Sequence, residues 1–62
     1  SGELADALAE NLREGTVVRD AIRLARAMRA AGNTEAGNRV LDEAERRVED
    51  AGEIQRLRAE RR

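Results

Sequence analysis

The chain contains no proline, so its five glycines are the only residues placed to interrupt long runs of helix-favouring side chains. Gly15, Gly32 and Gly52 each follow a helical pattern, where a left-handed C-terminal cap is wanted. Gly15-Thr16 and Gly32-Asn33 also place a good N-cap residue directly after the stop. These junctions therefore predict the end of one helix and the start of the next, with loops short enough to force antiparallel neighbours.

Between the stops the apolar residues recur at helical spacing. Leu4, Leu8 and Leu12 form one stripe, with Glu3, Asp6, Glu10 and Arg13 opposite, the pattern of a helix with one face inward. From Val17 to Ala31 two apolar rows adjoin, Val17, Ala21, Leu24, Met28, Ala31 beside Val18, Ile22, Ala25, so this segment is predicted to be the most central. The third stripe is Gly37, Val40, Leu41, Ala44, Val48, Ala51. Glu35 to Arg39, Asp42 to Arg46 and Glu43 to Arg47 place an acid four residues before an arginine, the favourable order on a helix. The first of these pairs spans Gly37, which carries the helix through that glycine and offers a neighbouring backbone a close approach. Past Gly52, Ile54 and Leu57 fall about 80° and 140° away from Ala44 on a continuous helix. A turn at Gly52 is thus predicted, although Glu53 is a poor N-cap, and one long helix with an overhanging end is the alternative.

The resulting expectation is an all-α antiparallel bundle of three helices, about 3–14, 17–31 and 34–51, plus a short C-terminal helix at about 53–61. Charge follows the same divisions. Residues 3–14 carry four acids and one arginine, 16–31 four arginines and one acid, 33–53 seven acids and three arginines, and 54–62 four arginines and one acid. Opposite signs on neighbouring helices favour one pairing over others.

The core formers are few. Twelve of the apolar residues are alanine, leaving six Leu, four Val, two Ile and one Met. Sixty-two residues are near the size at which a single core is marginal, so burial between subunits is an expected supplement. Candidate contacts are the outward alanines Ala7, Ala27 and Ala30, with Ile54 and Leu57 where the tail reaches a neighbour.

Composition also narrows the chemistry. Cysteine and histidine are absent, which removes disulfides and the usual zinc, haem and iron-sulfur ligand sets. Ser1, Thr16 and Thr34 are the only hydroxyl nucleophiles, with no histidine base, so an enzyme is not expected. Carboxylate pairs such as Glu45 with Glu49, or Glu49 with Glu53, read as a solvated acidic ridge. All twelve basic residues are arginine, yet the net charge is -1 and no aromatic side chain offers base stacking, so no nucleic-acid partner is expected. No membrane partner, small-molecule ligand or cofactor is expected either: no apolar run spans a bilayer, no Trp or Phe anchors an interfacial helix, and no targeting signal opens the chain.

The leading Ser1-Gly2, the Gly-Thr and Gly-Asn junctions, the alanine-rich helices with Leu, Val and Ile confined to buried faces, and the lack of cysteine resemble a computationally designed helical protein. The absence of lysine departs from that style. The resemblance implies that residues 1–2 are a vector remnant and 3–62 a single domain, a synthetic soluble chain expressed in the cytoplasm. It further implies a structural role, as subunit of a symmetric self-assembling homo-oligomer, a ring or capsid-like cage. The alternatives are a monomeric designed bundle, a designed protein-binding module, or a natural Ala- and Arg-rich helical fragment.

Overall fold

The computed structural model describes residues 2–62 and is all-α, with three helices: α1 (Gly2–Ala30), α2 (Thr34–Glu45) and α3 (Ala51–Glu60). They run up, down and up. Gly37 of α2 lies on Ala25 of α1, while α3 starts beside Glu14 and ends beside Arg26 and Arg29.

The first two predicted helices are one. α1 continues through Gly15-Thr16 for 29 residues, and Gly15 lacks the positive φ of a helix stop. A helical glycine costs only ~1 kcal/mol relative to alanine, and contacts from far along the chain hold this one in place. A Cβ on Gly15 would meet the Glu53 carboxylate at 3.4 Å, and the neighbouring Glu14 side chain, 5 % exposed, accepts the backbone N–H groups of Glu49 and Asp50, each at 3.0 Å. The start of α3 is thereby fastened to the middle of α1.

Gly32 is a true stop. Its φ is 87°, its N–H donates to the Arg29 carbonyl at 3.0 Å, and the Asn33 N–H donates to Met28 at 2.9 Å, the paired bonds of a Schellman cap. The Asn33 side chain then accepts the Ala36 N–H at 3.1 Å and opens α2.

The second correction concerns the tail. α2 ends at Glu45, not at 51, and a connector of five residues, Arg46 to Asp50, precedes α3. Asp50 is the N-cap, accepting the Glu53 N–H at 3.0 Å, and Gly52 sits in the first turn of the helix. The separate terminal helix expected from the Ile54 and Leu57 angles is present, but its break lies before Gly52. Val48 plugs the connector into the core, and Ala51, expected on the core stripe, is exposed.

Val18, Ala21, Ile22 and Ala25 of α1 pack with Leu41, Ala44, Val48 and Leu57, and Val40 and Ile54 close the edges. Gly37 permits this closeness: a Cβ there would lie 2.8 Å from the Ala25 carbonyl oxygen. Two ion pairs join oppositely charged blocks, those of Arg61 and Arg58 with α2, while the third links two net-basic blocks through the lone acid Glu60. Arg61 grips Asp42 with two hydrogen bonds of 2.9 Å, Arg58 reaches Glu45 at 2.7 Å, and Arg26 of α1 holds Glu60 of α3 at 3.0 and 2.6 Å. Of the three predicted intrahelical pairs, Glu43 to Arg47 is formed at 3.1 Å, whereas Arg46 turns to Glu43 because Arg61 has taken Asp42.

Candidate functional site

The molecule measures 47 × 16 × 14 Å, and its length is that of α1. Every buried residue of α1 lies between Glu14 and Ala25. Residues 2–13 therefore project past the bundle as a helical arm. Along it Leu4, Leu8 and Leu12, expected in the core, are 68 %, 56 % and 75 % exposed. On a straight helix their stripe is centred about 90° from the face of Val18, Ala21, Ile22 and Ala25, so a continuous α1 carries it clear of α2 and α3.

A second apolar surface lies on the other side of α1. Val17 and Leu24 are 37 % and 48 % exposed, and Val17 borders a groove of about 240 Å³ floored by Ala21 and Ala44 and edged by Val40. Glu43 and Arg47 stand at its rim, paired with each other.

A third surface is a cleft of about 390 Å³ between α1 and α3, with Ile22 and Ala59 under Arg19, Arg23, Arg26 and Arg56. Its arginines are largely spoken for: Arg26 by Glu60, Arg56 by Glu53 and Arg19 by Asp20. The Arg26 hydrogen bond, seconded by its charge, lowers the Glu60 carboxyl below the usual carboxylate range. Ion pairs of this kind fix α3 on α1 and leave little unsatisfied charge for a phosphate.

The predicted contact residues separate. Ala7 is exposed on the arm, and Ala27 and Ala30 are exposed at the opposite end of α1, roughly 30 Å away. Ile54 is half-buried, and Leu57 is fully buried at 0 %. Leu57 thus belongs to the core of its own chain and is withdrawn as a contact with another. The leucines of the arm are exposed instead. They were visible as a stripe, but the inference that a stripe faces its own core failed once Gly15 did not break the helix.

Nor do the acidic pairs form one ridge, because α2 ends at Glu45; Glu45 binds Arg58, Glu53 binds Arg56, and Glu49 lies in the connector. Among the described residues no group of three or more acids is placed to hold a metal ion, no buried side-chain polar atom lacks a partner, and no helix is long and apolar enough to cross a membrane. No protein-family model, curated protein or solved structure matches the chain.

Proposed function

We propose that this chain is a structural protein whose activity is to associate with copies of itself, as the subunit of a closed, symmetric homo-oligomer. The observation that carries the reading is the arm with Leu4, Leu8 and Leu12 facing water. An isolated helix of about a dozen residues is marginal in water, so a projecting segment of that length gains from a covering surface. Leucines repeated four residues apart on such a segment are the usual anchors of helix docking. The second apolar surface, at Val17 and Leu24, gives each copy a place for another neighbour. Catalysis forms no part of the proposal. The resemblance to designed helical proteins points to the same role.

Light scattering or native mass spectrometry at micromolar concentration tests it. An assembly with a mass several times the 6.8 kDa of one chain is expected, whereas a uniform 6.8 kDa species would remove the proposal.

A further inference from the structure

We propose that the contact between copies is head-to-tail: the arm of one chain, through Leu4, Leu8 and Leu12, lies in the groove of the next, between Val17 of α1 and Val40 of α2, and continues over the exposed Leu24 beside it. This rests on the self-association reading above and names the two surfaces that meet.

Direction is the first argument. At ~100° per residue the leucine stripe and the Val17–Leu24 edge point about 170° apart on the same helix. The arm therefore cannot reach the groove of its own chain. A two-fold pairing of α1 with α1 presents the same face of both helices, so it covers one surface and leaves the other in water. Only a heterologous contact joins the two.

Dimensions and chemistry agree. Leu4 to Leu12 spans roughly 12 Å of helix and Val17 to Leu24 roughly 10 Å. Beside the stripe lie Ala5 and Ala9, while Glu3, Asp6 and Glu10 fall about 140° or more from Leu8 and remain in water on docking. At the groove rim Glu43 and Arg47 already neutralise each other. Asp20, between Val17 and Leu24 on the same edge, is the one charge at the contact, and Arg19 stands beside it at 3.4 Å.

Area then decides the form of the assembly. The three leucines expose on the order of 250–400 Å² of apolar surface. With the groove's share one contact buries roughly 600 Å², well short of the 1,200–2,000 Å² of a stable pair. An open dimer is therefore weak. A closed ring, in which every copy gives one arm and receives one, doubles the contacts of each chain and leaves no arm or groove unfilled.

The test uses the whole chain and two substitutions at exposed positions, Leu8→Glu on the arm and Leu24→Glu on the apolar edge beside the groove. Wild type is expected as a closed species of three or more copies. Each variant is expected to keep its helical circular dichroism and fall to single chains. In a 15N-labelled Leu8→Glu sample, the Val17, Ala21 and Val40 amides are expected to shift when unlabelled Leu24→Glu is added, because its intact arm meets an intact groove. Unlabelled Leu8→Glu should produce no shift. A wild-type monomer would overturn this contact together with self-association. A wild-type assembly that survives Leu24→Glu, or one that stops at a dimer, would overturn the arm-in-groove contact alone, and so would the absence of amide shifts in the mixed sample.

Discussion

Gly37 has no room for a side chain, because a Cβ there would press to 2.8 Å from the Ala25 carbonyl oxygen, a backbone atom that cannot step aside without moving α2 off α1. Gly15 is the reverse case, in mid-helix with only the movable end of Glu53 nearby at 3.4 Å. Gly37→Ala should therefore destabilise by ~1–3 kcal/mol, while Gly15→Ala should stabilise by ~0.5–1 kcal/mol. Urea denaturation at one fixed protein concentration reads both signs. Glu14 is the third informative residue. Its carboxylate is the only cap for two N–H groups in the connector, and Glu14→Ala should cost about 2–3 kcal/mol in the same assay. The close approach at Gly37 was legible in the sequence, from a glycine lying on an apolar stripe. The job of Glu14 was not, since its partners are 35 and 36 residues away and no local pattern announces them.

Helices were legible as helices, but their ends only where the signal was complete. Gly32 is followed by Asn33, and both the left-handed glycine and the capping side chain are used. Gly15-Thr16 carries the same kind of signal, a glycine followed by an N-cap residue, yet the start of α3 bears on Gly15 and the chain stays helical. In α3 the glycine misled again, because the cap that counts is Asp50, two residues before it. The angular argument for Ile54 and Leu57 succeeded because it rested on which faces meet. Leu57 now anchors α3, and Leu57→Ala should cost about 2–5 kcal/mol, read as a lower thermal midpoint with α3 amides exchanging faster. Its effect belongs to the fold and should persist in the Leu8→Glu background, where no arm docks.

For the molecule as a whole, arginine-carboxylate pairs tie the three helices together from the outside. Hydrogen bonds from Arg61 to Asp42, from Arg46 and Arg47 to Glu43, and from Arg26 to Glu60 hold these carboxyls below their ordinary values. A folded value below the unfolded one contributes stability that is complete above about pH 4.5 and is lost as the pH falls through the lowered folded values. With no histidine, the thermal midpoint should be nearly flat from about pH 6 to 8 and decline below about pH 4.5, more gently in high salt because the pairs are exposed and screened. The alternating charge of the sequence foreshadowed Arg61 on Asp42 and Arg58 on Glu45, but not Arg26 on Glu60, which joins two net-basic segments. What it did not foreshadow is that the thin core would be completed by only part of α1. The leucine stripe of residues 4–12 was assigned inward on amphipathicity alone, and periodicity cannot tell a chain's own core from a neighbour's surface. On our proposal another copy covers these leucines. The most direct measurement is the solution mass of the wild-type chain at micromolar concentration beside that of Leu8→Glu. A wild-type assembly of three or more chains and a Leu8→Glu species of 6.8 kDa are predicted, and a single 6.8 kDa species for both would contradict the account.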